Sequence, residues 1–295
     1  MESVPLFLDV HTLLEASQPR PRVSWTQFMI AGFVLAIFLS WFVGRTSQPP
    51  QMQQAISTLI GIGLAFFVGS VAFAGFVGVR RARAEYAAVG AVEELIQLRR
   101  WPEAGLLLQT MLSRPARSPF SRAQLLLYLS MVLARYHRFE DSVTVHDYVL
   151  HEIPLDDATE HAVRLARAMS LLREDNLLDA DRAISELRRA SRGMESAGLA
   201  LVEIYRDVKT GHPAEAVEMF ESRLQVMRKQ LGHRAADVWA LAARAYDLLG
   251  RTTDARAAFE NATLLTPLAE IVRRYPEVEP LSKTYVPAPA PAEVA

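Results

Sequence analysis

Residues Trp239 to Pro267 read WALAARAYDLLGRTTDARAAFENATLLTP. Bulky and small residues alternate at Trp239, Ala243 and Tyr246, and a glycine follows at Gly250. Ala255, Phe259, Ala262 and Pro267 then continue at even steps. A single amphipathic helix requires an apolar residue every three or four positions, but neither this alternation nor an internal glycine. The stretch is better read as two helices, A and B, joined by a turn at GRTTDA. The small residue marks a close crossing, and the larger residue four positions later fills the adjoining groove.

Upstream the same signal recurs. An acidic residue followed by a small one occurs at Glu103-Ala104, Asp141-Ser142, Asp179-Ala180, Glu215-Ala216 and Asp254-Ala255. The small residues are 38, 38, 36 and 39 positions apart. Four positions after them come Leu108, His146, Ile184, Phe220 and Phe259. Helical apolar stretches such as AQLLLYLSMVLARY precede turn-like breaks such as HRFEDS and TGHPAEA. A helix pair cannot bury its apolar face alone, whereas stacked neighbours form a continuous core.

On these residues the chain resembles the tetratricopeptide repeat (TPR) family. The last unit carries the signature at Trp239, Ala243, Tyr246, Gly250, Ala255, Phe259, Ala262 and Pro267. The second matches at Leu129, Ser130, Leu133, Phe139, Ser142 and Pro154, and the fourth at Gly211, Ala216 and Phe220. The first and third are degenerate, and units of 36–39 residues exceed the family's 34. The resemblance implies an all-α fold over residues 85–267, a right-handed α-solenoid of about five TPR-like helix pairs. Residues 268–295 are read as a short capping stretch, Leu268–Tyr275, and a Pro/Ala-rich tail.

Working back toward the N-terminus, the character of the chain changes. Its 295 residues are 51% hydrophobic with a formal net charge of −1. The near-neutral balance gives no nucleic-acid footprint. The absence of cysteine excludes disulfides, zinc–thiolate sites, iron–sulfur clusters and thiol nucleophiles. The apolar excess lies early. No charged residue occurs between Arg45 and Arg80, and residues 56–79 are apolar or small nearly throughout. At the helical rise that stretch spans about 36 Å, enough to cross a hydrocarbon core of ~30 Å with some tilt. Residues 25–44, with Trp25 and Trp41 at the expected interfaces, suit a second span.

Residues 25–79 therefore read as a two-helix transmembrane hairpin, with Pro49-Pro50 breaking the connection, after an N-terminal segment of residues 1–24. Arg20 and Arg22 precede it, Arg80, Arg81 and Arg83 follow it, and only Arg45 marks the connection. The positive-inside rule places both termini and the repeats in the cytoplasm. In the second span Gly61, Ala65 and Gly69 recur every four residues, and Ser70, Ala74 and Gly78 continue the style. Such a stripe lets helices approach closely, against the first span of the same chain or in a homo-oligomer.

The sequence offers no reacting group. GIG in the second span is packing, not a phosphate loop. His146 and His151 stand five residues apart, unlike the i, i+4 spacing of metal-binding helices, and read as surface or interface histidines. Neither a cofactor, a metal nor a catalytic residue is expected. In the resembled family partners lie in the groove lined by helix A. Mapping those positions puts Arg135, Arg173 and Lys209 at one equivalent site, with Glu93, Met131, Met169, Tyr205 and Arg244 at a neighbouring one. A cationic row beside Met and Tyr suits an acidic partner segment.

The expected function is that of a membrane-anchored scaffold or adaptor, not an enzyme, that binds protein partners at the cytoplasmic membrane surface. The alternatives are a membrane-organising protein whose hairpin self-associates, and a regulatory subunit of a membrane enzyme complex.

Overall fold

A computed structural model describes residues 8–19, 31–35, 37–38, 41–42, 50–116, 118–191 and 196–285. Among these the protein is all-α, with no strand. The chain divides into two compact units, Met1–Tyr128 and Leu129–Ala295. That division falls inside the second helix pair, not between the apolar region and the repeats.

In the first unit, helix α1 (Val10–Ala16) starts at Asp9, whose carboxylate accepts from the Thr12 amide at 3.3 Å. Residues 31–35, 37–38 and 41–42 are helical and lie largely open. The rest of the first expected span and its connection fall outside the described residues. Helix α2 (Pro50–Gln97) runs 48 residues without a break. It begins earlier than the proline pair suggested, because Pro50 sits at the helix start, where no amide donor is needed. It also continues past residue 79. Its stretch from Gly61 onward is long and apolar enough to cross a membrane by length and composition. Ile62, Phe66, Phe73 and Phe76 project outward, Phe66 78% exposed, as lipid-facing side chains do. Helix α3 (Trp101–Leu112) then packs against α2.

Helix α4 (Pro119–Arg135) runs across the division of the chain. Then follow α5 (Phe139–Glu152), α6 (Asp157–Arg173), α7 (Leu177–Ala190), α8 (Ala197–Thr210), α9 (Pro213–Leu231), α10 (Ala235–Leu248) and α11 (Thr252–Leu265). Within the second unit α6 packs on α7, α8 on α9 and α10 on α11, each pair joined by a turn of two or three residues. The first helices of successive pairs also touch, α6 with α8 and α8 with α10. At Gly198 the approach is so close that a β-carbon would meet Leu165 Cδ1 at 2.7 Å.

The even steps of the opening stretch now have a physical cause. Ala104, Ser142, Ala180, Ala216 and Ala255 are all fully buried. Leu108, His146, Ile184, Phe220 and Phe259 are buried beside them. Phe220 stands edge-on to Trp239 and Tyr246, with ring centroids 5.0 and 6.2 Å apart. The aromatics of one pair thus grip the next.

The five turns share one geometry. Arg99, His137, Asp175, Gly211 and Gly250 all have left-handed backbones, with φ between 59° and 78°. Their spacing repeats that of the small residues. The amide of each following residue donates to a carbonyl five positions back: Arg100 to Leu95, Arg138 to Leu133, Asn176 to Leu171, His212 to Asp207 and Arg251 to Tyr246, at 2.8–3.0 Å. This wide hydrogen bond around a left-handed residue closes a helix C-terminus. The acidic residues of the second, third and fifth units have a role here as well. Asp141 and Asp254 receive the guanidinium of Arg138 (2.6 Å) and Arg251 (2.7 Å), and Asp179 the amide of Asn176 (3.0 Å). A carboxylate in the first turn of helix B thus holds the turn and faces the positive end of the helix dipole.

Candidate functional site

The shared turn geometry fixes the candidate residues. Arg135, Arg173 and Lys209 each stand two residues before the left-handed residue, in the last turns of α4, α6 and α8. Basic side chains there also complement the helix dipole. One turn earlier on the same helices lie Met131, Met169 and Tyr205. In the fifth pair Arg244 occupies that position and pairs with Asp247 at 2.7 Å. In the first unit its equivalent Glu93 accepts from Gln97 at 3.2 Å. Met131 is exposed, whereas Met169 and Tyr205 are buried.

The cations meet the chain's own C-terminal residues. After α11, Thr266 and Pro267 are extended. Helix α12 (Leu268–Arg274), a 3-10 turn (Pro276–Val278) and helix α13 (Glu279–Tyr285) follow. Arg135 Nη1 lies 3.2 Å from Glu270 Oε2. The Arg173 guanidinium sits over the Tyr275 ring, 5.4 Å from its centroid. Lys209 Nζ is 3.2 Å from Glu277 Oε1 and also pairs with Asp175. Glu270, Tyr275 and Glu277 thus engage the three positions in chain order.

Apolar contacts seal the arrangement. Ile271, Tyr275, Val278 and Leu281 are fully buried and belong to the same core as α6 to α11. Tyr275 stands edge-on to Tyr205 at 5.0 Å. Farther along, Arg274 Nη1 lies 2.6 Å from the buried Asp237 carboxylate, and the Tyr285 hydroxyl donates to Asp247 at 3.4 Å. The expectation of a capping stretch confined to Leu268–Tyr275 is therefore too small. The segment runs to Tyr285 and touches helices of the second, third, fourth and fifth pairs. Its signal was present in the sequence, as apolar residues at 271, 275, 278 and 281 follow one helical face. The tail beyond residue 285 lies outside the described residues.

Burial dominates the electrostatics of this surface. It pushes the Tyr205 hydroxyl far above its ordinary pKa, and the Glu277 carboxylate that accepts its proton at 3.2 Å adds to the shift. Tyr275 is raised chiefly by burial, then by Asp237. Both hydroxyls therefore stay neutral, and the fixed charges are the cations and carboxylates. Such a surface binds by charge pairing and aromatic packing. Among the described residues no group of three or more histidines and carboxylates is placed to hold a metal ion.

His146 differs from the expectation of a surface or interface histidine. It is buried in α5 at the position that leucine, isoleucine or phenylalanine fills elsewhere, and burial lowers its pKa to about 4. His151, in the last turn of α5, is exposed, its Nδ1 2.7 Å from the Asp147 carbonyl. In α2, β-carbons at Gly61, Gly69 and Gly78 would meet nothing within 4 Å among the described residues. Ser70 satisfies its hydroxyl on the Phe66 carbonyl at 2.8 Å, and Ala65 and Ala74 lie on the same helix. Gly32, in the region of the first expected span, faces the Phe67 ring, 3.5 Å from where a β-carbon would stand.

No family model matches the chain, and neither a curated protein nor a solved structure does.

Proposed function

We propose that this chain is a membrane-anchored scaffold. A two-span hairpin holds a TPR-like right-handed solenoid of about five helix pairs at the cytoplasmic membrane surface, where it binds protein partners and performs no catalysis. The fivefold recurrence of one turn and one buried small residue supports the repeat reading, because chance packing of helices has no reason to repeat both at identical spacing. The family assignment rests on that recurrence and on the residues of the last pair.

One observation carries the anchoring. Leu8, Val10, Leu13 and Leu14 are buried where α1 meets α3. Arg122 donates to the Leu14 carbonyl at 3.1 Å and to Ser17 Oγ at 3.2 Å, and the Ala116 amide donates to the Ser17 carbonyl at 3.2 Å. Residues 8–17 and 101–122 therefore lie together. If α2 crosses a bilayer, the chain between them crosses an even number of times, and residues 25–44 are the stretch that supplies the second crossing. The arginine asymmetry orients the hairpin with both ends inside. Helix α2 passes unbroken from the apolar stretch into the first pair, so that pair follows the apolar stretch without a flexible tether.

Crosslinking in intact membranes tests the reading. Crosslinks to other proteins should fall on residues 129–285. Crosslinks confined to the Gly61–Gly78 stripe between copies would favour instead the membrane-organising alternative, to which the lack of any contact at Gly61, Gly69 and Gly78 among the described residues lends support.

A further inference from the structure

The row of Arg135, Arg173 and Lys209 was expected to hold an acidic segment of a partner, and it holds an acidic segment of this chain. We propose that residues 268–285 are a resident, releasable ligand of the row. A partner gains the row by presenting the same pattern, two carboxylates at the places of Glu270 and Glu277 around an aromatic at that of Tyr275, and displaces them. This deepens the scaffold reading and rests on it for the role of the row.

Three features mark the segment as a ligand and not as one more repeat. It is joined to α11 only through the extended Thr266 and Pro267. Its two helices have seven residues each, too short to persist once detached, so it orders only while bound. Its fit is also incomplete. Among the described residues, Arg173 Nε, Arg273 Nε and the Tyr275 hydroxyl are buried without a hydrogen-bond partner. A buried donor left unpaired carries the full loss of its hydration. The Tyr275 ring covers Arg173, whose Nε has no acceptor among the described residues, so a competitor that supplies one there gains a hydrogen bond that the resident segment does not make.

Release also leaves a stable surface behind. Lys209 retains Asp175, and Tyr205 and Met169 still rest on helices that pack on one another without the segment. The row then resembles an open site, cationic at its edge and aromatic at its floor, suited to an acidic–aromatic peptide that folds as it binds.

The full-length protein in lipid nanodiscs provides the test, with a synthetic peptide of residues 266–285 as probe. Hydrogen exchange on the wild type should show residues 268–285 opening at least tenfold faster than the cores of α8 to α11. In the variant Glu270→Ala/Tyr275→Ala/Glu277→Ala the resident segment is weakened, and the added peptide should bind at least tenfold more tightly than to wild type. A peptide with the same three substitutions should not bind. Exchange of 268–285 only together with α8 to α11 overturns the proposal, as does a folded triple variant that ignores the peptide. If the triple variant fails to fold, the wild-type exchange decides alone. Because the peptide replaces any cellular partner, the proposal can fail while crosslinks to partners persist on another face, and it can hold while none are found.

Discussion

The second and fifth helix pairs share one backbone design and differ in almost every residue that carries it. The fifth turns at Gly250, crosses at Ala255 and fills the groove with Phe259. The second turns at His137, crosses at Ser142 and fills with His146. Each polar replacement finds a different settlement. Ser142 Oγ donates to the Ser130 carbonyl at 3.2 Å and lies 3.4 Å from Ser170 Oγ, so its burial is compensated. His137 bears a left-handed backbone and sets its ring edge-on to Phe139 at 5.6 Å. His146 is not fully compensated, since its Nδ1 is buried without a hydrogen-bond partner among the described residues. The turn and the crossing are thus demanded by geometry, whereas the residue that meets the demand is negotiable at a cost.

The largest expected consequence separates the two pairs by pH. The pKa of His146 is lowered from its ordinary 6.5 to about 4 by burial, against the raising effect of Asp147, with Arg167 also lowering it. The unfolded chain therefore binds the proton first, so stability is intact above pH 6.5 and falls as pH drops from there toward 4. At about 1.4 kcal/mol per unit the full loss approaches roughly 3 kcal/mol. Melting followed between pH 7 and 4.5 should show this loss in wild type and a much smaller one in His146→Leu. Equal pH dependence in both would remove His146 from the account.

Overpacking the close crossings comes next. Ala255→Leu and Ala180→Leu should each cost about 1–3 kcal/mol, and hydrogen exchange should show the altered pair fraying before its neighbours. A uniform loss across all pairs, or none, would break the equivalence of these positions.

Smaller effects sharpen the comparison of turns. Gly250→Ala meets no atom of the described residues within 4 Å, so its cost is the backbone alone, about 1 kcal/mol in chemical denaturation. His137→Gly relieves the same conformation but loses the ring contact and frees the unfolded chain, so a gain of less than ~1 kcal/mol is expected. A gain for Gly250→Ala, or a clear loss for His137→Gly, would show that the turns are not equivalent.

Much of the helical architecture was legible because close crossings demand small residues at fixed spacing, and the five from Ala104 to Ala255 carried that signal through unlike sequences. The turn geometry was hidden in the first three units, where Arg99, His137 and Asp175 take a backbone that glycine would have announced. The candidate row was legible as equivalent positions. Its occupant was not, because Glu270 and Glu277 reach Arg135 and Lys209 only through a fold-back, and a periodic pattern records spacing within repeats and not contacts between distant ones. The packing of α1 was equally hidden, since Arg122 binds carbonyl and hydroxyl oxygens of Leu14 and Ser17 that no motif marks.

The central claim is an anchored scaffold whose N-terminal segment and repeats share one side of a membrane, with the connection near Gln51 on the other. A chain without cysteine allows a direct test, with single cysteines placed at Glu15→Cys, Gln51→Cys and Arg182→Cys in the full-length protein. In intact cells an impermeant maleimide should label only position 51, and permeabilisation should make positions 15 and 182 reactive as well. Labelling of positions 15 and 182 from opposite sides, or of all three from one side, would contradict the account.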